Sequence, residues 1–142
     1  MTSLLTPKDL HGLSHEEELA KARKALDAMK EKEGEEEQLR AAFMSREIHP
    51  QVKDRVNAAV SRAARAGEKE LMAFSFPASY CNDGGRRINN AEPDWPDSLE
   101  GFAKTAHQYF EQELKPLGFK VQARVLDYPG GMLGKIGIFL MW

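Results

Sequence analysis

Several features that would assign this chain to a functional class are missing or rare in its sequence. A single cysteine, Cys81, excludes an intramolecular disulfide and is compatible with a reducing compartment. The formal net charge of −2 gives no global attraction to nucleic acid or to an anionic membrane. Because the N-terminus has neither a basic start nor a sustained apolar run, we predict no signal peptide and no transmembrane segment, and we expect a cytoplasmic protein.

Motifs that carry a specific chemistry are also missing. The sequence contains no Walker loop, no dinucleotide-binding glycine fingerprint and no GxSxG nucleophile turn. It also contains no CxxC or DxDxDG pattern, and its four histidines are scattered at His11, His15, His49 and His107. We therefore predict no cofactor and no metal, and the sequence establishes no enzymatic activity.

Length and charge indicate one compact domain with an appended arm. The 142 residues are within the usual size of a single domain, and 42% of them are apolar. Residues 1–48 carry eight basic and eleven acidic side chains, whereas residues 49–69 carry five basic and two acidic ones. We predict a charged N-terminal helical arm over residues 1–48 and a compact α+β domain over residues 49–142.

The arm is predicted to contain two helices after a frayed segment, residues 1–13. Ser14 and Glu17 match a capping box at the start of the first helix, which is expected to end near Gly34 before a second helix over 35–47. A narrow apolar stripe follows the cap, at Leu19, Ala22, Leu26 and Met29. This stripe predicts either self-association or a partner helix through residues 14–47, or packing on the same domain.

A third helix is predicted over residues 50–66, with Gly67 closing it. Its small apolar side chains are expected to let it approach a neighbour closely, and they are Val52, Val56, Ala59, Val60 and Ala63. Arginines on its other face allow contact with nucleic-acid phosphates, at Arg55, Arg62 and Arg65. A solvated helix face is the commoner reason for such arginines, so we regard nucleic-acid binding as a minor alternative.

The second half reads strand, helix, strand, strand. Apolar residues of both parities predict a buried strand over 71–76 and another over 136–142, and alternation predicts a one-sided strand over 119–127. Between them, Asp97 and Glu100 predict a capped amphipathic helix that ends near Pro116 and Gly118. The predicted fold class is α+β: a helical N-terminal third, then a β-α-β-β core with a small mixed three-stranded sheet. The first two strands are parallel and the closing strand lies between them, antiparallel to both.

This topology predicts a site at one edge of the sheet, formed by the loop 78–97 and the turn 128–133. Gly84 and Gly85 could present amides to an anion, and Arg86 and Arg87 could contact phosphate or carboxylate, although a tight turn with solvated arginines is the simpler interpretation. The other candidate ligand contacts at this edge are Asp83, Asn89, Asn90, Tyr128, Gly130 and Gly131. The predicted ligand is a small anion or a peptide.

The leading functional hypothesis is a non-catalytic binding or regulatory module that uses this edge. One alternative is an enzyme acting on a phosphorylated or carboxylated small molecule, with a general base among Asp83, Glu92, Asp94 and Asp127. A further alternative is nucleic-acid binding through the 50–66 helix. For Cys81, an inert packing role is the expected one.

Three segments of the sequence carry a resemblance: CNDGGRRINN, PDWPDSLEGF and LDYPGGMLGKIGIFLMW. Together they resemble small bacterial proteins of no assigned function that share a CxDGGRxINN loop and a PGGM…GxFLxW hairpin. The resemblance covers the C-terminal half, implies no activity, and assigns no role to any residue.

Overall fold

The structure, a computed structural model, describes residues 4–142 and has the predicted α+β class. Its helices are α1 Pro7–Ser45, α2 Val52–Arg65, α3 Arg86–Asn89 and α4 Gly101–Tyr109, and its strands are β1 Glu70–Pro77, β2 Lys120–Val125 and β3 Lys135–Met141. Residue contacts divide the chain into two units, the first ending at Ala41 and the second being Ala42–Trp142. None of the helices in the described part combines the length and the apolarity that a bilayer span requires.

α1 is one continuous helix, so the predicted start at Ser14 and the predicted break near Gly34 are wrong. A capping pair lies eight residues earlier, where the Asp9 amide donates to Thr6 Oγ1 at 3.2 Å and Asp9 Oδ2 accepts from the Thr6 amide at 3.0 Å. Pro7 suits the first helical position because the amide it lacks would have no helical partner there. The predicted fraying is therefore wrong from Pro7 onward, and residues 1–3 lie outside the described residues.

The apolar stripe of α1 is exposed to solvent. No side chain of Pro7–Ser45 is buried, and Leu19, Leu26 and Met29 each keep about half or more of their surface. Tertiary packing supplies most helical stability in proteins, and among the described residues it buries no side chain of α1. Self-association, or a partner helix, through residues 14–47 stays a prediction.

α2 ends as its sequence predicts. Gly67 adopts a left-handed φ of +83°, its amide donates to the Ala64 carbonyl, and the Glu68 amide donates to the Ala63 carbonyl, both at 3.0 Å. These two bonds form a Schellman motif, which satisfies the last carbonyls of the helix. The chain leaves this turn directly into β1.

The sheet has the predicted strand order β1-β3-β2, with β3 antiparallel to both neighbours. The two outer strands are therefore parallel to each other. Because β3 separates them, both hydrogen-bonded strand pairs are antiparallel. The sheet was predicted to be mixed, but it contains no parallel strand pair. Ile136, Ile138 and Leu140 of β3 are buried, with Ile136 fully enclosed, so the central strand anchors the core.

The capping box predicted at Asp97 is wrong. Asp97 lies in a separate 3₁₀ turn, Trp95–Ser98, and α4 begins at Gly101 without a side-chain cap. Asn82 fixes this turn, since its side-chain amide donates to the Asp97 carbonyl at 2.8 Å and its backbone amide donates to the Ser98 carbonyl at 2.9 Å. The predicted end of the helical region is correct, because Gly118 follows it with a φ of +103°.

Candidate functional site

The loop after β1 and the turn before β3 lie side by side, as the topology predicted. Tyr128 Oη donates to Asn89 Oδ1 at 2.9 Å, which ties the turn to α3. The Ala78 amide donates to the Gly134 carbonyl at 2.8 Å and continues the contact beyond the end of β1. Two segments about forty residues apart in sequence thus share one edge of the sheet.

The amides predicted to receive an anion already have an acceptor inside the loop. The Gly84 amide donates to the Cys81 carbonyl at 3.2 Å, and the Gly85 amide donates to Asp83 Oδ1 at 2.9 Å. Asp83 Oδ2 also accepts from the Arg87 amide at 3.0 Å. Gly84 and Gly85 adopt the left-handed conformation, with φ of +69° and +89°, which turns the chain around the carboxylate. The loop therefore closes on its own aspartate.

The two arginines of the loop also pair with carboxylates of the same loop. Arg87 Nε lies 3.5 Å from Asp94 Oδ2 and 3.9 Å from Asp83 Oδ2, and Arg86 Nη1 lies 3.5 Å from Glu92 Oε1. These contacts account for the charges of this segment without an external ion. Ligand binding at this edge stays a prediction.

The remaining candidate residues of the edge make backbone turns. Asn90 follows the last residue of α3, and its amide donates to the Arg86 carbonyl at 3.0 Å. Gly130 and Gly131 have φ of +61° and +80°, and a Cβ on either would meet no atom within 4 Å. The Pro-Gly-Gly segment is therefore an open turn on the surface.

Removing the Asp83 carboxylate is expected to destabilise the protein by about 2–3 kcal/mol at neutral pH, because two backbone amides would lose a charged acceptor. Burial raises the pKa of Asp83, but the amides of Arg87 and Gly85 and the Arg87 guanidinium outweigh it and hold the pKa below 3.8. The stabilisation by the Asp83 carboxylate is thus present at pH values above the usual carboxyl pKa of 3.8 and is lost as the pH falls through the folded-state pKa. Urea denaturation of Asp83→Ala at pH 7 and in acid measures it.

Asp94→Ala is the matched control, since Asp94 contacts Arg87 from an exposed position and accepts neither amide. It is expected to lower stability by no more than about 0.5 kcal/mol. Equal losses in Asp83→Ala and Asp94→Ala would contradict the role of the amide bonds.

Cys81 is a buried packing residue. Burial raises the pKa of its thiol to about 11. The negative charges of Asp83 and Glu100 also raise this pKa, whereas a hydrogen bond with Ser98 lowers it. The side chain is therefore a neutral thiol near pH 7, whereas nucleophilic cysteines act as thiolates.

A large apolar cavity of about 600 Å³ lies elsewhere in the unit Ala42–Trp142. It is bordered by α2, by the sheet, and by α4 with the turn after it. The α2 wall consists of Val52, Val56, Ala59 and Val60. The sheet contributes Leu71, Phe74, Val121, Ile138 and Leu140. The third wall consists of Phe102, Ala103, Ala106, Phe110 and Leu114.

The small side chains of α2 help to create this space. They were expected to let α2 approach a neighbour closely, but no side chain of α2 is buried. Ala59 and Val60 are half-buried and line the cavity instead. Larger residues at these positions would extend into the space that the small ones leave open.

The third wall contains a π-helical turn. α4 ends at Tyr109 and continues directly into a π turn over Phe110–Leu114, which carries two of the lining side chains. A π turn holds more residues per turn than an α-helix and is frequent at functional sites. Its sequence, FEQEL, has no feature that distinguishes it from an α-helix, so sequence reasoning did not find it.

Polar groups line the cavity at a few positions, which are Arg46, Glu47, His49, Arg55, His107 and Tyr109. His107 lies edge-on to Trp95, with ring centroids 5.4 Å apart, and its Nε2 is 3.7 Å from Glu111 Oε1. Burial lowers the pKa of His107, and the Glu111 charge only partly opposes this effect. The imidazole is therefore mainly neutral near pH 7.

Comparison with known proteins supplies no assignment. No family model matches the chain, and neither a curated protein nor a solved structure matches it. Over residues 4–142, no group of three or more His, Cys, Asp or Glu side chains is arranged to hold a metal ion. Inference about function therefore depends on the cavity and its walls.

Proposed function

We propose that this protein is a non-catalytic binding module whose ligand is a small, largely apolar molecule held between α2, the sheet and α4. The observation that supports the proposal is the apolar cavity of about 600 Å³. Ligand sites in proteins commonly measure about 300–1,000 Å³ and combine apolar walls with a few polar groups. The cavity matches this description in both size and lining.

The size of the cavity argues against an ordinary packing defect. Protein interiors contain few voids larger than a water molecule. At about 24 cal/mol per Å³, an enclosed empty void of 600 Å³ would cost about 14 kcal/mol, which equals the whole stability of many domains. An open cavity that accepts a ligand avoids this cost, because solvent or ligand can fill it.

The same size favours a small molecule over a helical peptide. An α-helix with its side chains is about 10–12 Å across, so two turns occupy roughly 850 Å³ or more. A cavity of this size would take up only one face of such a helix. A single alkyl chain or a small ring system fits the available space.

The loop edge is the less favoured location for the ligand. Its amides and its arginines, Arg86 and Arg87, already pair with Asp83, Glu92 and Asp94. An external anion would have to displace these carboxylates. The proposal therefore keeps the predicted class of binding module but places its ligand in the cavity.

Filling the cavity from α2 tests the proposal. Ala59→Trp places an indole in the cavity, and it is expected to weaken binding of the fluorescent apolar probe N-phenylnaphthylamine at least about tenfold. Fluorescence titration of wild type and variant measures this change, and circular dichroism confirms that both are folded.

Ala58→Trp is the matched control, because Ala58 is the preceding residue of α2 and is exposed outside the cavity. It is expected to bind the probe as the wild type does. If the two tryptophan variants bind the probe equally well, or if the wild type does not bind it, the proposed function is wrong.

A further inference from the structure

We infer that the ligand of this cavity is an anionic amphiphile, whose tail lies among the apolar walls and whose head group is bound by the guanidiniums of Arg46 and Arg55. The inference rests on the proposed function and adds the chemical class of the ligand. The head group can be a carboxylate or a phosphate, because both accept hydrogen bonds from guanidinium.

Arg46 is positioned at the cavity wall and has no carboxylate partner in the described part of the chain. Its guanidinium carbon lies 4.3 Å from the ring centroid of Phe102, which lines the cavity. Stacking on an aromatic ring restrains a guanidinium while leaving its N–H groups free to donate. Within residues 4–142, Arg46 forms no salt bridge, so its charge is available to a ligand.

Arg55 lines the cavity from α2. It is exposed and, like Arg46, has no carboxylate within salt-bridge distance among the described residues. Val52, the first residue of the same helix, also lines the cavity. The positive end of the α2 dipole therefore lies close to the cavity and adds to the attraction for an anion.

Arginines elsewhere in the unit Ala42–Trp142 behave differently. Arg86, Arg87 and Arg124 each pair with a carboxylate, and the Arg124–Glu70 pair uses two hydrogen bonds. Arg62 and Arg65 form no salt bridge in the described chain, but they do not line the cavity. In this unit, Arg46 and Arg55 are the only arginines that both line the apolar cavity and lack a salt bridge.

The charges around the cavity favour an anion over a cation. Glu47 is the single carboxylate among the described lining residues, against Arg46 and Arg55. A cationic head group would face this excess of positive charge, whereas an anionic one would neutralise it.

Titration of the full chain with three ligands of equal tail length tests the inference. Calorimetry at low salt compares undecanoate, decyl phosphate and decanol, which share a ten-carbon tail and differ in head group. We expect at least one of the two anions to bind about tenfold or more tightly than decanol, since charge-assisted hydrogen bonds at a partly exposed position contribute this much. Comparing the two anions shows which head group is preferred.

The variant Arg46→Met/Arg55→Met keeps apolar stems but removes both charges. It is expected to bind anion and alcohol within about twofold of each other, while its affinity for decanol stays that of the wild type. Arg62→Met/Arg65→Met is the matched control, with equal loss of charge outside the cavity, and it should keep the preference for the anion.

The outcomes separate this inference from the proposed function. If decanol binds as tightly as both anions, the cavity is a binding site and the anionic head group is wrong. An unchanged anion preference in the Arg46→Met/Arg55→Met variant would also overturn the inference. Failure of all three ligands to bind would count against the inference and the proposed function together.

Discussion

Replacing Gly101 with alanine is expected to destabilise the unit Ala42–Trp142 by about 2–5 kcal/mol. Gly101 has a φ of +55°, and a Cβ built on it would lie 2.6 Å from Met44 Cα and 2.9 Å from Met44 Sδ. A left-handed conformation costs a residue with a Cβ about 1–3 kcal/mol, and overpacking adds about 1–3 kcal/mol. The backbone of Met44 cannot move aside as a flexible side chain could, so the two effects combine.

Gly130→Ala is the matched control for the Gly101 variant. Its φ of +61° gives a similar backbone penalty, but a Cβ there would meet nothing within 4 Å. It is expected to lower the free energy of unfolding by about 1–2 kcal/mol, which is the backbone penalty alone. Urea denaturation of both variants measures their free energies of unfolding. When both show the same dependence on urea concentration, the difference between their losses is the effect of the contact with Met44. Equal losses would mean that this contact does not constrain the start of α4.

Replacing Phe43 with alanine is expected to destabilise the same unit by about 2–4 kcal/mol. Phe43 lies near the end of α1, and its ring centroid is 5.4 Å from that of Phe76, 5.0 Å from that of Tyr80 and 5.9 Å from that of Phe102. Loss of a buried phenyl ring costs about 3–5 kcal/mol, and the half-buried position of Phe43 reduces this value. Urea denaturation measures the change.

Leu39→Ala supplies the comparison one helical turn earlier. Leu39 keeps 67% of its surface exposed, so its truncation is expected to change stability by no more than about 0.5 kcal/mol. A Phe43→Ala variant as stable as Leu39→Ala would show that the compact unit does not depend on residue 43, in agreement with a domain boundary at residue 48. A large difference places the boundary before residue 43.

The strand order was predictable because it depends on composition along short segments. β3 is apolar on both parities, whereas β2 alternates with Lys120, Gln122 and Arg124. A strand with two apolar faces gains most at the centre of a sheet, and a crossover connection makes the two outer strands parallel. The adjacency of Asn89 and Tyr128 followed from the same topology.

Capping-box spacing did not predict where the helices begin, because the sequence contains several candidate caps. Ser14 with Glu17, and Asp97 with Glu100, both have capping-box spacing, but neither pair caps a helix in the structure. Thr6 and Asp9 cap α1 earlier in the chain, and hydrogen bonds from Asn82 hold Asp97 in a separate turn. Spacing alone does not identify which candidate cap is used.

Some features of the candidate site follow from the sequence, and others depend on the tertiary structure. Sequence alone determined the three strands, their order and the residues at the loop edge, because each depends on the periodicity or the conformational preference of a few neighbouring residues. Only the tertiary structure decided that Asp83 occupies amides of the loop, that Ala59 and Val60 line a cavity, and that Arg46 stacks on Phe102 beside it. The reason is physical: hydrogen-bond partners, and the volume that side chains leave unfilled, depend on distances between segments that are far apart in the chain.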